Sequence, residues 1–407
     1  MRKLFFPLIL LAVSCTSVPP TGGSQPDLGW LFTKKGPCTL CTKVNATGTV
    51  PFELIPDVEL MSENPQSIIS RQVTIGPDST LTVKLGRLKP GFYQVKLADS
   101  ITFNIGVRPD EVVSPPDAFP DFDAFWEETL AALDTLPMDA TFTEVPEFSD
   151  SVRTCYEVQY TSYGGGLAGG ILSVPNAPGR YPVIIDYMGY GANVFYYDPQ
   201  GAPDMINFLV SVRGQGLFKE ERADWFDRGL QSKEEYYYRG AFADVKRAVD
   251  FICSLEKADT TRIVAEGDSQ GGAFTFLSAA LDKRIRAIAP AVPFLGDYRD
   301  YAKIVWWPVH EGLDAAKAQG IPEDNFYNVL SYFDIKNFAP RITCPVYMAF
   351  GLQDPTCPPH TNFSIYNNVS STDKHYLCVP TCGHGMWLEP VWPPIREEFF
   401  KRVLELD

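Results

Sequence analysis

Ser269 stands in Gly267-Asp268-Ser269-Gln270-Gly271, a G-x-S-x-G. Ahead of it runs Ile263-Val-Ala265, short, apolar and rich in β-formers. Behind it Ala273-Phe-Thr-Phe-Leu-Ser-Ala-Ala-Leu281 holds good helix formers and neither Pro nor Gly. Strand, sharp turn and helix form the setting in which this pentapeptide lifts a serine hydroxyl out of a strand end. The turn strains the backbone at the serine and leaves no room for bulk beside it. A serine hydroxyl is a weak nucleophile at neutral pH. It needs a base within hydrogen-bond reach, and the base needs a third group to fix its tautomer. The chemistry indicated is acyl transfer through a covalent intermediate.

The chain has four histidines. His384, in Cys382-Gly-His-Gly385, follows the run His375-Tyr-Leu-Cys-Val-Pro380, read as the last strand. That puts it at the carboxyl edge of a sheet, where the elbow also opens. His375 begins the same strand and so lies at the wrong end. His360 follows Pro358-Pro359 at a predicted helix start, and His310, in a segment between two predicted strands, ranks second. Asp354, in Phe350-Gly-Leu-Gln-Asp354-Pro, follows a predicted strand at 346–351 and is the expected acid. An Asp before Pro also suits turn capping, and the two roles are compatible. Ser269, Asp354, His384 is the chain order of an α/β-hydrolase. Two amides should receive the oxyanion: that of Gln270, and that of Tyr190 in Tyr187-Met-Gly-Tyr-Gly191, after the predicted strand 181–187. Asp268 should point away from the hydroxyl.

These residues require a sheet whose strand ends converge. From Cys155 onward strands and helices alternate, which predicts a mostly parallel sheet covered on both faces. A hairpin at 156–160 and 169–175 precedes strands at 181–187 and 205–212 and a helix at 240–254. The elbow then follows the fifth strand of the domain, ahead of strands at 285–290, 346–351 and 375–380 and a closing helix at 399–404. The helix Phe122–Asp134 opens this domain, taken as 122–407, and the Pro- and Asp-rich stretch 109–121 reads as a linker. Residues 27–108 carry five alternating stretches, near 48, 72, 81, 93 and 101, with turn signals at Gly76-Pro-Asp-Ser and Lys89-Pro-Gly. They predict an all-β, immunoglobulin-like module. Glycan binding and a spacer role are both open for it.

The chain has 407 residues and a formal net charge of −15. With no basic surplus to neutralise phosphates, nucleic acid is not an expected partner. Arg2 and Lys3 ahead of the apolar run Leu4–Val13 predict an export signal over 1–15. Leu11-Ala-Val-Ser-Cys15 resembles a bacterial lipobox, so Cys15 is the expected lipid anchor, with 16–26 as a tether, in the periplasm or at the cell surface. Of nine cysteines, Cys38 and Cys41 read as a local disulfide or as two small core residues, and Cys378 and Cys382 could pair. No metal or cofactor is expected. Tyr196, Tyr197, Trp306 and Trp307 are candidates for stacking on a sugar or lining the acyl site, with domain packing as the competing use.

Several stretches together carry a family resemblance: Tyr187-Met-Gly-Tyr190, Val212-Arg-Gly-Gln-Gly216, Tyr236-Tyr-Tyr-Arg-Gly240, Gly267-Asp-Ser-Gln-Gly-Gly272, Pro293-Phe-Leu295 and Gly351-Leu-Gln-Asp-Pro-Thr-Cys-Pro-Pro359. In that order they resemble the acetyl xylan esterase and cephalosporin C deacetylase family of carbohydrate esterases, from about Phe122 to the C-terminus. The resemblance implies Ser269, Asp354 and His384 as triad, the amides of Tyr190 and Gln270 as oxyanion hole, and removal of acetyl groups from sugars without a metal. It also implies closed oligomers with inward-facing sites. The sequence departs from the family in having Gly385 where Glu usually follows the histidine, and in the added β-module. Arg213 and Gln215 read as loop support. Two rivals remain: a serine peptidase of the same fold, and a non-catalytic glycan-binding surface lipoprotein.

Overall fold

The computed structural model describes residues 29–98, 100–197, 204–220 and 224–406. The predicted export signal, Cys15 and the tether 16–26 lie outside them.

Nine strands form the main sheet among the described residues. In spatial order they are Lys374–Val379, Val346–Gly351, Ile285–Ala291, Ala258–Asp268, Tyr181–Tyr187, Ile206–Ser211, Leu167–Pro175, Arg153–Thr161 and Thr141–Glu144. The first six run parallel and the last three join antiparallel. All six residues of Ile206–Ser211 are buried, as a strand covered on both faces requires. Thr141–Glu144, exposed at all four positions, is an edge strand that the sequence reading did not mark, because no apolar alternation signals it.

From Tyr181–Tyr187 the chain leaves toward Ile206–Ser211 on one side. From Ala258–Asp268 it leaves toward Ile285–Ala291 on the other. These neighbouring strands therefore send their following loops apart, which opens a crevice at their carboxyl ends. The Tyr190 loop and the Ser269 elbow both rise there.

The helix Tyr237–Ser254 starts a turn earlier than predicted and buries Ala241, Val245, Ala248, Val249 and Ile252 completely. Between Ile285–Ala291 and Val346–Gly351 the chain inserts helices Tyr298–Ile304, Val309–Ala318, Glu323–Ser331 and Ile335–Phe338. The sequence reading had left this stretch without elements.

The N-terminal module is all β. One sheet runs Leu31–Phe32, Ile101–Val107, Gly91–Leu97, Gly48–Pro56, Ile69–Ile75, and a second pairs Cys38–Lys43 with Thr80–Gly86. Both sheets feed one core containing Leu40, Phe52, Leu81, Val95 and Ile105. Cys38 points into that core and Cys41 out to solvent. Three residues apart on a strand they face opposite ways, so the expected local disulfide, or a pair of core residues, is not what forms. Cys378 and Cys382 are both buried as free thiols, not a pair.

The stretch 109–121 is not a loose linker. Asn367 Nδ2 donates to the carbonyls of Pro109 and Val112, both at 2.9 Å, and Asn368 Nδ2 to that of Ser114 at 2.7 Å. Its prolines remove backbone donors, and the asparagines satisfy carbonyls of Pro109, Val112 and Ser114.

Candidate active site

Ser269 has φ 60° and ψ −119°, between the strand Ala258–Asp268 and the helix Gln270–Leu281. Neighbouring backbone holds this strained conformation. The Ser269 amide donates to Ala291 O at 3.0 Å, and its carbonyl accepts from Ala273 N and Phe294 N, both at 3.0 Å. A Cβ at Gly271 would lie 1.8 Å from the Tyr187 carbonyl oxygen. The helix start is thus pressed against the end of the strand that leads into the Tyr190 loop. Gln270 is the first residue of its helix, where an amide has no acceptor within the helix.

Two glutamines tie that loop to the elbow. Gln215 Oε1 accepts from Gly191 N at 3.0 Å and from Gln270 Nε2 at 3.1 Å. Gln215 Nε2 donates to Tyr237 Oη at 3.0 Å, and Tyr238 Oη donates to Gln270 Oε1 at 2.9 Å. Tyr237 Oη donates in turn to Arg213 O at 2.6 Å. The Arg213 guanidinium grips the fully buried Asp244 carboxylate at 2.7 and 2.9 Å. Arg213 and Gln215 therefore support the loop, as expected from sequence.

Beyond the elbow, past the ends of the strands Val346–Gly351 and Lys374–Val379, Asp354 Oδ2 lies 2.9 Å from His384 Nδ1. Asp354 Oδ1 accepts from the amides of Thr356 at 2.8 Å and Cys357 at 2.9 Å. The carboxylate caps its own turn with one oxygen and meets the imidazole with the other. A Cβ at Gly351 would lie 2.2 Å from Gly383 O, so the end of the acid strand and the histidine loop touch backbone to backbone. The imidazole stands edge-on to Trp387, ring centroids 5.7 Å apart.

The elbow and the acid loop meet at Cys357. Its Sγ lies 3.9 Å from Ser269 Oγ, and its amide is the one that donates to Asp354. Among the described residues no hydrogen bond joins Ser269 to His384; the hydroxyl rests on the Cys357 thiol. Burial keeps that thiol neutral by pushing its pKa well up. Asp268 makes no hydrogen bond to His384. Burial first, then the neighbouring Glu266, pushes its carboxyl up to about 6, against the opposing pull of Arg396 and His384.

The other histidines are occupied elsewhere. His310 Nε2 lies 2.7 Å from Ala302 O, and His375 Nε2 lies 2.8 Å from Asp373 Oδ1. His360 sits between Asp57 and Asp300, at 3.2 and 3.3 Å. Asp297, Asp300 and His360 offer ligand atoms within 4.8 Å of one another. Lys336 already neutralises Asp297 at 3.2 Å, and both His360 nitrogens face carboxylates, so the cluster carries its own cations.

The sequence profile of the acetyl xylan esterase (AXE1) family matches residues 114–389. The chain belongs to that family. It is 28% identical over 351 residues to an acetyl esterase, Axe7A, of Xylanibacter ruminicola, covering 76% of this chain and 78% of that one. The acetyl xylan esterase from Paenibacillus sp. R4 superposes with a TM-score of 0.65 at 31% identity, over 73% of this chain and 98% of its own. Acetyl xylan esterase 1 from Thermoanaerobacterium sp. superposes with a TM-score of 0.66 at 24% identity over the same shares. The profile match begins at Ser114, beyond the β-module.

In this acetyl xylan esterase family member a cavity of about 430 Å³ opens beside Tyr190. Tyr190, Phe226 and Trp307 wall it, and Asp224, Asp227 and Glu311 supply carboxylates. Phe226 N donates to Tyr190 Oη at 3.3 Å, and the Tyr190 and Trp307 rings meet edge-on at 5.9 Å. Arg228 pairs with Asp224 at 2.9 Å. Burial, with Glu311 and Asp224 nearby, pushes Asp227 up to about 6. Of the aromatic candidates only Trp307 lines this cavity. Trp306 is exposed. Tyr196 stacks on Phe148 at 4.3 Å and donates to Glu157 at 2.6 Å, and Tyr197 packs with it in a satellite apolar cluster around Cys155, Ile171 and Leu209. The sequence reading missed Phe226, Asp224, Asp227 and Glu311. They come from two separated segments, and no local pattern marks them.

Proposed function

We propose that this chain is an exported serine esterase that removes acetyl groups from acetylated carbohydrate. Ser269 Oγ attacks the acetyl carbonyl carbon while His384 Nε2 takes the hydroxyl proton. Asp354 holds Nδ1–H and balances the imidazolium. The carbonyl oxygen, now an anion, lies between the amides of Tyr190 and Gln270. The C–O bond to the sugar breaks, His384 returns the proton to the sugar oxygen, and acetyl-enzyme remains. Water, deprotonated by the same imidazole, attacks it, and acetate leaves as Ser269 regains its proton. The observation that carries this reading is the 2.9 Å Asp354–His384 contact at the same carboxyl edge of the sheet as a strained Ser269, which stands at a switch point. Catalytic hydrogen bonds are often long in free enzymes and tighten on the substrate, so a hydroxyl resting on Cys357 suits an unloaded site. The acetyl esterase and acetyl xylan esterase relatives support the substrate class. The aromatic walls and carboxylates beside Tyr190 suit a hydroxyl-rich sugar ring, with Trp307 as the stacking face.

Ser269→Ala should lower turnover of p-nitrophenyl acetate and acetate release from acetylated xylo-oligosaccharides by about 10⁴-fold or more. Equal turnover by variant and wild type would reject the proposal. Cleavage of aminoacyl-proline anilides without acetate release would instead favour a peptidase.

Two further readings rest on narrower ground. The module's strand order, with its first strand parallel to its last and Cys38–Lys43 paired with Thr80–Gly86 apart from the main sheet, supports an immunoglobulin-like topology. So does Tyr93, early in a late strand, whose hydroxyl donates to Lys89 O at 2.8 Å in the manner of a tyrosine corner. A crystal structure placing Cys38–Lys43 beside Ile101–Val107 would overturn it. The lipobox-like run supports export and lipidation at Cys15. Intact-mass analysis showing an unmodified, uncleaved N-terminus in a bacterial host would overturn that.

A further inference from the structure

The outer edge of Ile101–Val107 is covered for only part of its length. The two-residue strand Leu31–Phe32 pairs with Gly106 and Val107, taking Gly106 N on Trp30 O at 2.8 Å and Arg108 N on Phe32 O at 2.7 Å. The next amide on that side belongs to Asn104. A residue 249 positions further along the chain fills its place: Asn104 N donates to Gln353 Oε1 at 2.7 Å, and Gln353 Nε2 donates back to Asn104 O at 3.1 Å. A side-chain carboxamide thus takes the position of a neighbouring strand's peptide group. Asn104 Nδ2 adds a bond to Leu352 O at 3.2 Å.

Gln353 immediately precedes Asp354. Its Nε2 also donates to Pro380 O at 2.8 Å, and its amide donates to Cys382 O at 2.9 Å. Pro380 and Cys382 lead into His384. One side chain therefore joins the module's edge strand to both loops of the Asp354–His384 pair. Behind it, Phe92 of the module lies edge-on to Phe350 at 6.5 Å and meets Phe363 at 5.8 Å. Phe350 belongs to the strand that ends at the acid loop, and Phe92 is counted in the hydrolase core, not the module's own.

Resting on the triad reading above, we propose that the N-terminal module is a built-in brace for the Asp354 and His384 loops, and that Gln353 is the positioning residue through which it acts. Gln353 touches no substrate in this role. It fixes the direction from which Asp354 meets the imidazole, while the module supplies two rigid backbone groups for it to hold.

The test uses the full chain with p-nitrophenyl acetate. Gln353→Met keeps the length and apolar stem but loses both hydrogen-bonding ends. It should lower kcat by about 10-fold or more through misplacement of the pair, with KM changed less than about twofold. Placed in an Asp354→Asn background, the same change should have little further effect, because the residue it acts through is already disabled. Asn104→Ala, which removes only the bond to Leu352 O, should give a smaller loss with the same kcat-only character, and it serves if Gln353→Met does not fold. Asp57→Asn, which loosens the module at its contact with His360 and leaves Gln353 untouched, should lower the melting temperature without a matching loss of kcat. An unchanged kcat in both Gln353→Met and Asn104→Ala, beside an inactive Asp354→Asn, would overturn the brace and leave the triad standing. So would an undiminished Gln353→Met effect in the Asp354→Asn background. Full activity of Asp354→Asn would instead sink the triad reading, and the brace with it.

Discussion

The Ser269 elbow and the Asp354–His384 pair are fixed by different means. The nucleophile side is held by its own neighbourhood: a strained backbone at Ser269, a helix start pressed on Tyr187 O, and a reciprocal pair of glutamines, Gln215 and Gln270. The acid and histidine side is held at a distance, by Asn104 and Phe92 of a module far earlier in the chain. Geometry written into a short peptide tolerates almost no substitution. Geometry leaned on from outside can be weakened in steps without rearranging the chemistry itself.

Gly271→Ala should break the comparison hardest. A Cβ 1.8 Å from a backbone oxygen cannot be absorbed by a side-chain shift, so strand and helix must part. Loss of about 10³-fold in kcat/KM, with a lowered melting temperature, is expected. Wild-type activity would show that the elbow is softer than described. Gln215→Leu should follow, leaving the Gly191 amide and Gln270 Nε2 without their acceptor at a cost of about 1–3 kcal/mol. About a 10- to 100-fold fall in kcat is expected, read together with the rate of labelling by a fluorophosphonate.

A pH series sharpens the distant side. Burial alone would push the His360 imidazole down, but Asp57 and Asp300 outweigh it and hold its pKa at about 10. A group raised on folding stabilises fully below its unfolded pKa, ordinarily about 6.5, and that contribution is lost as pH climbs through the folded value. Melting temperature should therefore decline from about pH 7 to pH 10. In His360→Gln the decline should be shallower, and identical slopes would show that the imidazole does not fasten the module. The smallest effect belongs to Trp307→Ala. It should raise KM a few-fold for an acetylated oligosaccharide, about 1 kcal/mol of lost ring contact, and leave p-nitrophenyl acetate nearly unchanged.

What could be read from the sequence follows the same division. The elbow, its strand and its helix were legible because one short continuous peptide carries the strand, the turn residues and the helix formers together. The pairing of Asp354 with His384 was legible because the fold's connectivity makes their strand ends neighbours. The module's strands from Gly48 onward showed through their period of two, while Leu31–Phe32 and Cys38–Lys43 did not, and the helix Phe122–Asp134 showed through its apolar spacing. Long-range packing was not legible. Thr141–Glu144 has no buried face to announce it. Tyr196 looked available for substrate, but Phe148, remote in sequence, occupies its ring. Gln353 carried no signal, since only a strand edge some 250 residues away gives its carboxamide a purpose. The Pro-rich stretch before the hydrolase read as a linker because asparagine side chains that satisfy its carbonyls lie in another part of the chain.

The account depends on Ser269 being activated by the imidazole of His384. Intact-mass analysis after exposure to a fluorophosphonate, with peptide mapping, tests this directly. The expected result is one adduct on Ser269, formed rapidly in the wild type and slowed by at least about 10³-fold in His384→Ala. Labelling of Ser269 at the same rate without the imidazole, or an adduct on another residue, would contradict it.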